Sequence, residues 1–174
     1  MKKGLFILMT ILTGYTNAFA QASTDIYLTD NKETTEKIGS INFNDSEKGL
    51  RVDVDLHNLP GGEHGFHIHE NPDCSASPDK DGNMQPALAA GGHYDPDKTG
   101  KHLGPHKHGG HRGDLPALNV TEDGIVKTTF YISDLTVAEI KNRSLIIHAG
   151  GDNYEDTPMP LGGGGARIAC GIIK

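Results

Sequence analysis

The sequence predicts an all-β domain: an eight-stranded antiparallel Greek-key β-barrel or sandwich with two long functional loops. Three observations carry this. Short runs alternate apolar and polar residues with a period of two, which puts one face inside and one in water. Much of the glycine, 23 residues in all, lies in two stretches between apolar segments, where strands need shaped connections. Apolar residues make up 35% and aromatics 6%, with no Trp, which suits one modest core and not a large helical one. At 174 residues the chain fits a single domain.

The elements follow in order. Asp25-Ile26-Tyr27-Leu28, within 24–30, is the first strand, and Lys37 to Phe43 is the second. Leu50 to Leu56 is the cleanest: Leu50, Val52, Val54 and Leu56 are apolar, while Arg51, Asp53 and Asp55 are charged. Leu59-Pro60-Gly61-Gly62 is a turn. In Gly65-Phe66-His67-Ile68-His69, Phe66 and Ile68 share the core face, and His67 and His69 share the outer one. From Glu70 to Pro116 almost nothing is periodic. Structureless loops beyond roughly 12–15 residues are rare in compact domains unless functional or disordered. This one holds five of the ten histidines, so we read it as a loop ordered by metal. Leu118-Asn119-Val120 leads to a turn at Glu122-Asp123-Gly124. Ile125 to Ile132 is β-branched and aromatic, Val137 to Ile140 fits a helical turn, and Ser144 to His148 is another strand. A second glycine-rich loop runs from Gly150 to Gly165, and Arg167 to Ile173 closes the chain.

Residues 1–20 read as a signal peptide and 21–174 as the mature domain. Lys2 and Lys3 form a basic start, Leu5 to Leu12 an apolar run, and Ala18-Phe19-Ala20 a small-x-small cleavage pattern before Gln21. The run is too short to span a bilayer core of about 30 Å, and no other segment is apolar enough to cross a membrane. Export changes how the two cysteines read. Outside the cytoplasm, Cys74 and Cys170 have only each other to pair with. Closing so long a loop is worth roughly 4–5 kcal/mol in the chain-entropy model, less any strain. The net charge of −7 argues against a nucleic-acid partner, which would need clustered Lys and Arg.

Two imidazoles on one strand face, His67 and His69, can grip a metal ion; taken alone they are equally two exposed histidines. The loop adds His93, His102 and His111 at even spacing, with Asp114 three residues after the last. Three imidazoles and a carboxylate can close a tetrahedral zinc site. His148, near a strand end, could complete the set begun by His67 and His69. Parity does not settle which way it faces, because Leu145-Ile146-Ile147 is an unbroken apolar run.

The pattern resembles the copper/zinc superoxide dismutases, in particular the exported bacterial branch. The motifs are Gly-Phe-His-Ile-His-Glu (65–70), Gly-Gly-His-Tyr-Asp-Pro (91–96), Lys-His-Leu-Gly-Pro (101–105), His-Arg-Gly-Asp-Leu (111–115) and Gly-Gly-Gly-Gly-Ala-Arg-Ile-Ala-Cys-Gly (162–171). The resemblance implies one copper and one zinc per subunit, a superoxide substrate, and a periplasmic location. It makes His67, His69, His93 and His148 copper ligands, with His93 bridging to a zinc held also by His102, His111 and Asp114. Arg167 becomes the arginine beside copper and Asp152 the carboxylate joining a copper-side to a zinc-side histidine. Cys74 and Cys170 match the family's disulfide. The chemistry fits: zinc is redox-silent, four imidazoles suit Cu(II), and Arg167 is permanently charged beside an anion. In the implied cycle one superoxide reduces copper and leaves as oxygen. His93 lets go of copper and takes a proton; a second superoxide then reoxidises copper, receives two protons and leaves as hydrogen peroxide. Because the chain is acidic overall, steering must come from a local positive patch. Exported members include dimers and monomers, and no strand here advertises an exposed apolar face, so a homodimer stays open.

Other histidines read differently. His64 shares the parity of Phe66 and Ile68, and the resemblance gives it a structural hydrogen-bonding role. His57 is a surface residue. His106 and His108 are either solvated loop histidines or a weak accessory metal site. Two rivals to an enzyme are a protein that buffers copper or zinc without turnover and a dismutase-like module with a degenerate site. The first would be expected to lack Arg167 or a copper ligand, and the full ligand set argues equally against the second.

Overall fold

The computed structural model describes residues 19–31, 34–105 and 107–174. The export signal therefore falls almost wholly outside the described residues, as does His106. The strands are β1 (Gln21–Thr29), β2 (Thr34–Ser46), β3 (Gly49–Leu56), β4 (Gly62–His64), β5 (Phe66–His69), β6 (Ser77–Pro78), β7 (Met84–Gln85), β8 (Leu118–Val120), β9 (Val126–Ile132), β10 (Ser144–His148) and β11 (Arg167–Ile172). A single helical turn, α1 (Val137–Ile140), is closed by a reciprocal Thr136–Glu139 capping box.

Seven strands form one antiparallel sheet in the order β5-β10-β11-β1-β2-β3-β9. Its two edges are joined by a ribbon in which β4 pairs with β8. β4 and β5 are one strand interrupted at Gly65, whose N–H donates to Gly150 O and whose carbonyl accepts from His148 N–H. β8 leads through a Thr121–Gly124 turn into β9. Counted this way, eight long strands close an all-β barrel with Greek-key crossovers from β3 to β4 and from β9 to β10. The expected architecture stands. The hairpin β6–β7 and a 3₁₀ turn at Leu88–Ala90 were not legible, since two-residue strands carry no periodic signal.

Ile26, Ile41, Phe43, Leu50, Val52, Leu56, Phe66, Ile68, Leu145 and Ile147 fill the barrel. Phe66 meets Phe130 edge to face, with ring centroids 6.2 Å apart. Leu50 to Leu56 behaves as its alternation requires: the apolar positions are buried, and Arg51 binds Asp53 on the wet face.

His67 and His69 do face outward from the barrel, yet β5 is buried on both faces. The long loop folds back over it. The same cover explains β10. Ile146 stands opposite His67 and therefore faces outward, where it packs with Ala87, Ala90, Cys170 and Cys74 in a small second core. The apolar run in β10 is unbroken because both faces are dry.

Cys74 and Cys170 are disulfide-bonded. The bond ties the loop to β11 beside Ala87, whose carbonyl accepts from the Arg167 guanidinium. Reduction should therefore loosen the 70–91 segment and weaken metal retention. Limited proteolysis and metal analysis of the folded, reduced protein check this, and unchanged values in both would count against it.

Candidate metal centre

The edge of β5 that the sheet leaves open is paired by the long loop. Ile68 N–H donates to Gly113 O at 2.9 Å, Tyr94 N–H to Ile68 O at 2.8 Å, and Glu70 N–H to Gly92 O at 3.0 Å. Two isolated backbone bridges result, His69 to His93 and His67 to Asp114. Each carries a loop residue to the side of a strand histidine. Gly113 is required at this crossing, because a Cβ there would lie 2.2 Å from Ile68 O.

Six imidazoles thus meet. His67 and His93 stack with centroids 4.0 Å apart, and His148 lies 4.8 Å from His67. His102 and His111 approach His93 from the other side, each at 5.3 Å. The outward parity of Ile146 and His67 carries over to His148, so the question left open by the β10 sequence is resolved toward the His67/His69 face.

Most of these rings spend one nitrogen on a hydrogen bond. His67 Nε2 donates to Asp152 Oδ2 at 2.8 Å and His102 Nε2 to Asp152 Oδ1 at 2.7 Å. His69 Nδ1 donates to Gly91 O at 3.0 Å and His148 Nδ1 to Gly165 O at 3.2 Å. The opposite nitrogens, His67 Nδ1, His69 Nε2, His102 Nδ1 and His148 Nε2, are buried without a hydrogen-bond partner, as is His111 Nδ1. Buried polar atoms rarely stay unpaired. A ring fixed at one nitrogen with a free lone pair at the other is how a metal-binding histidine is oriented. The donor set therefore fits metal ions.

Charge points the same way. Asp114 Oδ1 lies 2.9 Å from His93 Nδ1, and Asp114 Oδ2 lies 3.0 Å from His102 Nδ1. Burial works against ionising either carboxylate. The surrounding imidazoles outweigh it and hold Asp114 and Asp152 well below the usual carboxylate range. Burial likewise opposes charging of His102, but Asp114 and Asp152 overcome it and raise that ring to about 9. Burial pushes His69 and His148 well down and His93 to about 4, with neighbouring imidazoles adding to the effect. Two buried carboxylates facing one charged ring, His102, and mostly neutral neighbours favour a cation at the centre.

Two compact ligand groups stand out, each with candidate ligand atoms within 4.8 Å of one another: His67, His69, His93, His148 and His67, His93, His102, Asp114. His67 and His93 belong to both. The second differs from expectation by containing His67 where His111 was anticipated. His111 lies at its border, with Nδ1 3.4 Å from Asp114 Oδ1. Arg167 sits beside the first group: its Nη2 and His69 Nδ1 both donate to Gly91 O.

The profile of one protein family, described as copper/zinc superoxide dismutase (SODC), matches residues 37–173. The chain belongs to the copper/zinc superoxide dismutase family. A copper/zinc superoxide dismutase from Brucella melitensis biotype 1 is 48% identical over the full length of both chains. The solved copper/zinc superoxide dismutase from Brucella abortus is 47% identical, with a TM-score of 0.85, and spans 89% of this chain and 100% of that one. The monomeric copper, zinc superoxide dismutase from Salmonella enterica is 46% identical, with a TM-score of 0.78, over 89% of this chain and 100% of that one. As a superoxide dismutase the chain is an oxidoreductase that takes copper and zinc and converts superoxide to oxygen and hydrogen peroxide.

The other described histidines stand outside both ligand groups. His64 is buried, with Nδ1 2.7 Å from His148 O and Nε2 2.8 Å from Pro60 O, so its role is structural. His57 is exposed. His108 is exposed and lies 3.3 Å from Asp134. Sequence reasoning missed the backbone carbonyls of Gly91 and Gly165, which no side-chain motif advertises. It also missed Gly162, where a Cβ would lie 1.9 Å from Asp152 Oδ1.

Asp152 orients a ring in each group. Asp152→Ala should weaken both copper and zinc affinity by about 10–100-fold. Competitive metal titration measures this; loss confined to one metal would contradict the shared role.

Proposed function

We propose that His67, His69, His93 and His148 bind one copper and His93, His102, His111 and Asp114 one zinc, with superoxide turned over at the copper side. The observation that carries this is that His93, one of two rings common to both ligand groups, turns one nitrogen toward each set. Its Nδ1 faces Asp114, which leaves Nε2 for the other set. His67 spends Nε2 on Asp152, so its one free nitrogen serves a single ion. That argues for His111 as the last zinc ligand.

Copper held by the first set would supply a one-electron couple, and zinc held by the second would supply fixed positive charge. Two superoxide ions and two protons become one oxygen and one hydrogen peroxide. His93 Nε2 is the ring position that can hold a proton during this cycle while Nδ1 stays on the Asp114 side. Arg167 is held by Ala87 O and Gly91 O, both at 2.7 Å. Its guanidinium keeps its charge and offers an anchor for the anionic substrate.

The N-terminal pattern and the disulfide support work in the periplasm, since such bonds persist in oxidising compartments. Among the described residues no helix is long and apolar enough to cross a membrane. Mass spectrometry of the exported protein should find a chain beginning at Gln21; an intact Met1 would refute cleavage there.

Metal analysis beside a superoxide-disappearance assay tests the centre. His148→Ala should lose copper and activity while keeping zinc. Equal loss of both metals, or full activity without copper, would overturn the division of ligands.

A further inference from the structure

Arg143 lies outside both ligand groups, yet two of its contacts converge on the seam between them, while a third anchors it to α1. It precedes β10 and is half-buried. Its guanidinium lies over the Tyr94 ring, 3.6 Å from the centroid. Its Nη1 donates to Glu70 O at 3.1 Å and its Nε to Glu139 O, at the end of α1, at 2.8 Å.

Glu70 follows His69, and Tyr94 follows His93. The two histidines are joined by a single backbone bridge, closed by Tyr94 N–H to Ile68 O and Glu70 N–H to Gly92 O. An isolated bridge lacks the neighbouring ladder that stiffens a long strand pair. Arg143 supplies an external clamp instead. One face of the fork presses the residue after His93, and one N–H holds the residue after His69. The adjacent Ser144 Oγ donates to Asn71 O at 2.7 Å, reinforcing the same grip.

We propose that Arg143 is a positioning residue of the metal centre, clamping the His69–His93 bridge through Tyr94 and the Glu70 carbonyl. The proposal rests on His93 being the ligand shared by both ions. A flat, delocalised cation with directed donors can stack and hydrogen-bond at once, and a lysine ammonium cannot do both in this geometry. The clamp fixes the spacing of His93 relative to His69, so it acts on both ions from a site that touches neither.

The test compares Arg143→Lys, Tyr94→Leu and Tyr94→Phe with wild type in the fully metallated protein. Three quantities are read: the Cu(II) electron paramagnetic resonance spectrum, the rate of zinc loss to a chelator, and the melting temperature. Arg143→Lys and Tyr94→Leu should each shift the copper hyperfine coupling and speed zinc loss about tenfold. Tyr94→Phe keeps the aromatic face and should match wild type. The double variant Arg143→Lys/Tyr94→Leu should be no worse than either single one, since both remove the same clamp. A lowered melting temperature with unchanged copper spectrum and zinc release would reduce Arg143 to a stabilising residue and overturn the proposal. Should Arg143→Lys not fold, Arg143→Gln is read by the same measures. If wild type itself lacks a four-nitrogen copper spectrum and bound zinc, the ligand assignment fails; if wild type shows both and the variants match it, only the clamp fails.

Discussion

The constraint on which this structure turns is the cost of taking imidazole nitrogen out of water. Six rings are gathered in one buried place, and every ring has two polar atoms to satisfy. Protein groups satisfy one nitrogen on most rings: carboxylates for His67 and His102, backbone carbonyls for His69 and His148. The nitrogens left over converge instead of scattering. An apolar interior could not tolerate this, since an unmatched buried polar atom costs about 1–3 kcal/mol. The arrangement makes sense as half of a bonding scheme whose other half is metallic. Asp114 and Asp152 complete the argument, because buried carboxylates held ionised need compensating positive charge.

The barrel's contribution is chiefly to hold one strand still. β5 sends Phe66 and Ile68 into the core and His67 and His69 the other way. β10 runs beside it and brings His148 to the same side. The long loop then borrows the β5 backbone as its template, so His93 and Asp114 are placed by ladder-like hydrogen bonds, not by loop stiffness. The second core of Ala87, Ala90, Ile146 and Cys170, stapled by the disulfide, fixes the segment whose carbonyls hold Arg167. Ligand geometry and loop order are thus one packing problem.

The sequence made legible what period and spacing can encode. Leu50 to Leu56 announced its two faces, and the ligand candidates His67, His69, His93, His102, Asp114 and His148 all fall within the compact groups found. His111 stands just outside them, a matter of side-chain approach that spacing cannot resolve. What stayed hidden has definite causes. His148 could not be oriented because Ile146, though outward, is covered by residues some sixty positions earlier. The carbonyls of Gly91 and Gly165 are hydrogen-bond acceptors that every residue owns, so no letter marks them. The hairpin at Ser77–Pro78 and Met84–Gln85 is too short to alternate.

The pairing of the crossover with β5 has one more consequence. An open strand edge is a template on which another chain can grow, and natural sheets guard against it. Here the guard is not a proline, a bulge or a lysine. It is the polypeptide that carries the ligands proposed for zinc, held down partly by whatever those residues bind. Stripping the ions would therefore do more than empty a centre: it would loosen the cover over a short, apolar-backed edge and turn a question of redox chemistry into one of self-association.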